Sequence, residues 1–176
     1  DDFANLSRVL VERGHIDASR KIAADMKREW RGDKQAELAA LVTESLCLHA
    51  EGAEEKARGL VDQALALQQQ AREEAAAKGR QLSQRLTVDL AHACYAAGKE
   101  DAANGIMRQM AAENHEDPHL INHITSVFER TGQAAAGKAI LDQVGKEIVD
   151  LNNRGVMAAR SGDLEGAVKL LIQAAE

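Results

Sequence analysis

Aromatic residues are almost absent from this chain: one Trp, one Tyr and two Phe in 176 residues. Stacking platforms for single-stranded nucleic acid need aromatic faces, and phosphate recognition needs a positive surface. The charge balance runs the other way, with Lys+Arg 22 against Asp+Glu 28 and a net charge of −6. A nucleic-acid partner is therefore excluded. Cysteine occurs twice, at Cys47 and Cys94, far apart and each inside an apolar helical pattern. That usage reads as two reduced, buried thiols of a cytoplasmic protein rather than a disulfide. No apolar run reaches membrane-spanning length and no signal-peptide pattern is present, so no membrane partner is expected. Segments alternating apolar and polar residues are missing, and with them strands and the phosphate loops that follow strands. No nucleophile stands beside a base, so neither an enzyme nor a cofactor is expected.

Proline is nearly absent too, with Pro118 alone, and Val, Ile and Thr are sparse while Ala, Leu, Glu, Gln, Lys and Arg dominate. Helix propensity is high almost everywhere. The breaks are short glycine turns: "ERGHID", "AEGAEE", "AAGKED", "RTGQAA" and "RSGDLE". Glycine supplies the left-handed conformation that ends a helix at low cost. The spacing predicts five helical hairpins turning at Gly14, Gly52, Gly98, Gly132 and Gly162, in steps of 38, 46, 34 and 30 residues. Such a period indicates a degenerate two-helix repeat. The longest step is explained by one extended amphipathic run over residues 53–78, where Leu60, Ala64, Leu67 and Ala71 keep helical spacing. Asp33 is the expected N-cap of the helix beginning "KQAELAALV", and Asp117 that of a helix with Pro118 in first position. We expect 1–176 to be a single helical repeat domain. The chain opens at "DDF" without Met, and it is expected to be a fragment of a longer protein.

The last hairpin, "LNNRGVMAARSGDLEGAVKLLIQAA", resembles the tetratricopeptide repeat (TPR) family. In that family a small residue in the first helix, a turn glycine and a small residue in the second helix let two backbones approach. Gly155, Gly162 and Ala167 stand at those places, with Leu151, Ala158, Leu171 and Ala174 at surrounding core places; Arg154 replaces an apolar residue of the family pattern. Aligned on their turn glycines, the other hairpins match in part. The first offers Phe3, Leu6, Ser7, Leu10, Ser19 and Ala23, and the second Leu41, Ser45, Leu48, Ala57, Val61 and Ala64. The third offers Leu90, Ala91, Cys94, Ala103, Met107 and Met110, and the fourth Ile121, Ile124, Thr125, Phe128, Gly137, Leu141 and Val144. The resemblance implies an all-α, right-handed superhelix (an α-solenoid) of about five antiparallel helix pairs. The last two hairpins also look like the C-terminal repeat region of some bacterial response regulators, through "DPHLINHITSVFERTG" and "LNNRGVMAARSGDLEGAV". That likeness implies a place in signal transduction.

In the TPR family the first helices line a concave binding surface. Its inner-face places fall here on Arg85, Asp89, His92 and Tyr95 in the third hairpin. They continue on His119, Asn122, His123, Ser126 and Arg130 in the fourth, and on Asn152, Asn153 and Arg160 in the fifth. The second hairpin is more apolar there, with Val42, Leu46 and His49. Asn pairs with both amide groups of a peptide backbone, and Arg with carboxylates. The resemblance thus implies a scaffold or regulatory module that binds a protein or peptide. The alternative is self-assembly as a homo-oligomer, because Leu164, Val168 and Leu171 are left incompletely covered at the last helix. A third reading is metal binding. His119 and His123 lie four apart on one helical face, with His115, Glu116 and Asp117 just upstream, but two helical histidines without a defined third ligand make no site.

Overall fold

The computed structural model describes residues 2–114, 117–144 and 148–175. Among them are ten helices and no strand: α1 (Asp2–Glu12), α2 (Ile16–Glu29), α3 (Lys34–Ala50), α4 (Glu54–Ala77), α5 (Gln84–Ala96), α6 (Glu100–Glu113), α7 (Pro118–Arg130), α8 (Ala134–Val144), α9 (Ile148–Arg160) and α10 (Leu164–Ala175). All five predicted turn glycines have positive φ, from +71° at Gly98 to +88° at Gly162. One hydrogen-bond pattern recurs at each. Gly14 N–H donates to Val11 O and His15 N–H reaches back to Leu10 O, and the same pair follows at Gly132, where Gln133 N–H reaches Phe128 O. Two carbonyls that a helix end leaves orphaned are satisfied this way, and only glycine takes the conformation without strain. The caps fall as expected. The Asp33 carboxylate accepts from Ala36 N–H, and that of Asp117 from the N–H groups of His119 and Leu120.

The contacts gather into two compact units, Asp1–Glu100 and Asp101–Glu176. In the first unit α3 is the centre. It packs on α1, α2, α4 and α5 and is buried on nearly all sides from Leu38 to Cys47. A helix that is apolar or small all round belongs inside. At the α1–α2 crossing, Ser7 and Ser19 are fully buried and bond each other at 2.8 Å, and each hydroxyl also lies within hydrogen-bonding distance of the other's carbonyl. Small polar residues allow the close crossing, and the reciprocal bonds offset their desolvation. Leu6 is an exception to the family alignment: its side chain is 49% exposed. Helix α4 runs 24 residues, as its periodicity predicts. Its buried face is Ala57, Val61, Ala64, Leu67, Ala71 and Ala75, with Leu60 only half-buried.

Both cysteines are buried and unbridged. Burial pushes the Cys94 thiol up to about 12 and raises that of Cys47 as well. The thiolate is the reactive form, so near neutral pH neither should react with a thiol reagent until the chain unfolds. Titration with a chromogenic disulfide is expected to find no accessible thiol in the native protein and both in denaturant. Rapid native labelling of either would contradict the burial.

In the second unit α7 packs on α8 and α9, α8 on α9, and α9 on α10. Close approach at the crossings depends on glycine. A Cβ on Gly137 of α8 would lie 2.8 Å from Phe128 Cγ and 3.0 Å from Met157 Sδ. One on Gly155 of α9 would lie 2.8 Å from Leu171 Cγ and 3.4 Å from the Ala167 carbonyl oxygen. Ala167 is buried, as the repeat pattern requires, whereas Leu171 remains 40% exposed because only one edge of it covers Gly155. Arg154 has a clear role in place of the family's apolar residue: its Nε donates to Asp142 Oδ1 at 2.7 Å, tying α9 to α8. Burial disfavours ionisation of Asp142, but hydrogen bonds from Lys138 and Arg154 outweigh it and hold its carboxyl below the usual value. The Val144 side chain and Gly145 lie outside the described residues, as do the side chain of Phe3 and both His115 and Glu116.

Candidate functional site

Helices α7 and α9 are the first helices of their hairpins, and they pack directly on each other. Amphipathicity decides which side each shows. Leu120, Ile121, Ile124, Thr125, Val127 and Phe128 turn α7 inward. His119, Asn122 and Arg130 are left exposed, with His123 and Ser126 half-buried. From α9, Asn152 and Arg160 are exposed while Asn153 is buried. Asn153 is not idle: its Nδ2 donates to Asn122 Oδ1 at 3.1 Å, joining the two helices midway along the face. This bond orients the exposed Asn122 amide and leaves its NH2 group to donate outward. Arg130 lies back along its own helix with Nε donating to Ser126 O at 3.1 Å. Arg130 and Arg160 also occupy the last turns of their helices, where a cation is favourable against the helix dipole. The face is thus a strip of amides, imidazoles and guanidiniums, with the Asn122 amide oriented from α9.

The expected face of the first unit is different. Arg85 is exposed and His92 half-buried, but Tyr95 and Asp89 are buried, Asp89 to 6% exposure. The Asp89 carboxylate lies 3.6 Å from Arg8 Nε, so α1 and α5 are joined by an internal ion pair. What the sequence pattern offers as groove polarity is there committed to holding helices together. Arg8 carries no motif and was not legible as its partner. Sequence reasoning also passed over Trp30, which stands 44% exposed at the end of α2. The signal was present: "KREWRGDK" clusters cations around the only tryptophan of an acidic chain. Val42 and Leu46 are buried, and His49 is exposed beside Glu54.

His119 and His123 are one turn apart on α7. Among the described residues no group of three His, Cys, Asp or Glu side chains could hold a metal ion. No helix among them is long and apolar enough to cross a membrane.

Comparison with known proteins bears on the fold. No protein-family model matches the chain, and no curated protein sequence matches it either. Among solved structures, a putative kinesin light chain from Podospora anserina with nearly identical TPR-like repeats superposes with a TM-score of 0.55. It is 16% identical, covering 98% of this chain and 92% of that one. A single-substitution variant of it gives 0.54 at 16% identity, covering 98% and 91%. The chain has the TPR-like repeat fold. MamA from Desulfovibrio magneticus RS-1 also matches, at a TM-score of 0.47 and 14% identity over 98% of this chain and 90% of that one. In the TPR-like fold, first helices pack on first helices of the next repeat. The α1–α3, α3–α5 and α7–α9 contacts follow this rule.

Proposed function

We propose that this TPR-like chain is a protein-interaction scaffold and that it holds an extended segment of a partner along the α7–α9 face. The observation that carries the reading is the buried Asn153 bonded to the exposed Asn122 at 3.1 Å. A buried amide costs free energy unless paired, and here the pairing fixes an outward-facing donor where a peptide carbonyl would pass. His119, His123, Ser126, Arg130, Asn152 and Arg160 supply further donors along the strip, suited to backbone carbonyls and carboxylates. A cytoplasmic signalling scaffold is the setting that the sequence resemblance favours. The test is capture from a cell extract, identification of the retained protein, and repetition with the Asn122→Ala, Arg130→Ala double variant. Both positions are exposed, but Asn122→Ala also unpairs the buried Asn153 amide, so a retained helical spectrum and melting transition are established before capture. Loss of the identified partner is the expected result, and undiminished retention would contradict the reading.

A second reading rests on a separate observation. Leu164, Val168, Leu171 and Ile172 of α10 are 68, 57, 40 and 54% exposed and recur at helical spacing, forming one apolar stripe. Contiguous exposed apolar surface marks an interaction site, and a second copy of the chain presenting the same stripe would bury it. Sedimentation velocity over a range of concentrations should then show reversible self-association that Val168→Glu abolishes. A monomer at all concentrations would remove this reading.

A further inference from the structure

The first unit contains a cleft of about 720 Å³, built from none of the residues of the α7–α9 face. Its walls are the end of α2, the turn into α3, the first turns of α3 and the middle of α4. The α4 wall runs from Gln63 to Gln70. Leu67 is the fourteenth residue of α4, the length at which α2 and α6 end, and Gln70 lies beyond it. The floor is apolar: Trp30, with Leu41 and Leu67, both nearly fully buried. The Trp30 backbone is fixed at both ends, its N–H donating to Met26 O and its carbonyl accepting from Asp33 N–H at 3.0 Å. Asp33 in turn caps α3. The indole is therefore presented from a rigid turn.

The rim has the sign opposite to the rest of the chain. Lys27, Arg31 and Lys34 line the cleft against a single acid, Glu37, in a protein of net charge −6. Lys34 is paired with Glu37 at 3.0 Å and Lys27 with Glu44 at 2.8 Å, while exposed Arg31 has no ion-pair partner among the described residues. We propose that this cleft is a second docking site, for an acidic peptide segment carrying one apolar side chain. The apolar side chain would pack between Trp30 and Leu67, and flanking carboxylates would meet Arg31 and Lys34. Exposed tryptophan and arginine are the residue types that dominate binding energy at interfaces. A guanidinium accepts a carboxylate in bidentate fashion. The volume suits an anchoring side chain with its flanks. The acidic surface elsewhere would repel such a segment, so the local positive rim confers specificity as well as attraction.

Trp30 is the only tryptophan, so it reports on its own site. The experiment is a fluorescence titration of the whole chain with a capped pentapeptide, one leucine flanked by two glutamates on each side. A second peptide has glutamine in place of every glutamate. A saturable change in Trp30 emission with the glutamate peptide alone is expected. Its affinity should fall about tenfold or more in Arg31→Glu and stay unchanged in Lys169→Glu, which reverses an exposed charge on α10. Circular dichroism establishes that both variants keep the native helix content. No emission change up to about 1 mM peptide, an equal response to the glutamine peptide, or an unaltered affinity in Arg31→Glu would each overturn the proposal.

Discussion

Replacing Phe128 by Ala is expected to destabilise the protein by about 3–5 kcal/mol, the usual cost of truncating a fully buried aromatic ring. Phe128 has no exposed surface, and its ring lies against the Gly137 backbone of α8, next to Met157 of α9. It fills the place where three helices of the second unit meet. The companion substitution tests the geometry more sharply. Gly137→Ala alone puts a Cβ 2.8 Å from a ring that cannot retreat, a penalty of about 1–3 kcal/mol. The gain of about 1 kcal/mol in helix propensity offsets part of that penalty. In the Phe128→Ala background the clash is gone and only the propensity gain remains, so Gly137→Ala should become neutral or stabilising. Gly59→Ala on α4 is the control. Nothing lies within 4 Å of its added Cβ, and it should stabilise by about 0.5–1 kcal/mol. Urea unfolding of the four variants forms a double-mutant cycle with a control. Additivity of the first two would contradict the assigned crossing.

The second large effect lies in the first unit. Arg8 and Asp89 have side chains only 16% and 8% exposed. Arg8→Ala removes the cation from a buried carboxylate, and the expected loss is on the order of 3 kcal/mol. Arg8 also pairs with Glu12 one turn on. The converse expectation is equally specific. Replacing Arg8→Met with Asp89→Leu removes both buried charges, leaves only the part-exposed Glu12 unpaired, and should recover most of the stability. Exposed pairs behave otherwise: removing Arg28, which pairs with Asp25 on the surface of α2, should leave stability almost unchanged. Chemical denaturation monitored by helix content reads all three. An Arg8→Ala loss as small as that at Arg28 would show that the pair does not hold α1 to α5.

What was legible in the sequence is what is decided locally. Gly14, Gly52, Gly98, Gly132 and Gly162 end helices because only glycine tolerates the positive φ that the turn needs. Asp33 and Asp117 cap because their carboxylates reach N–H groups two or three residues on. The length of α4 follows from one unbroken period of small and apolar residues. The small residues at Ser7, Ser19, Gly137, Gly155 and Ala167 were legible as crossings through the repeat resemblance. Partners distant in sequence were not legible. A polar residue on a first helix reads as groove until its partner is known, and Asp89 has Arg8 while Asn153 has Asn122. Arg154 broke the family pattern because its partner, Asp142, lies on the neighbouring helix. The Trp30 cleft needs α4 to pass the α2–α3 turn, a placement that no local period encodes.

On the proposed reading the α7–α9 face, and not the second-helix side, meets the partner. Site-specific photo-crosslinking in the presence of the captured partner tests it most directly. A photoreactive residue is placed in turn at Asn122, Arg130, Asn152 and Arg160, and for comparison at the exposed positions Ala135 and Ala139 of α8. Partner adducts are expected from the α7 and α9 positions and none from α8. Adducts from Ala135 and Ala139 with none from Asn122 or Asn152 would contradict it.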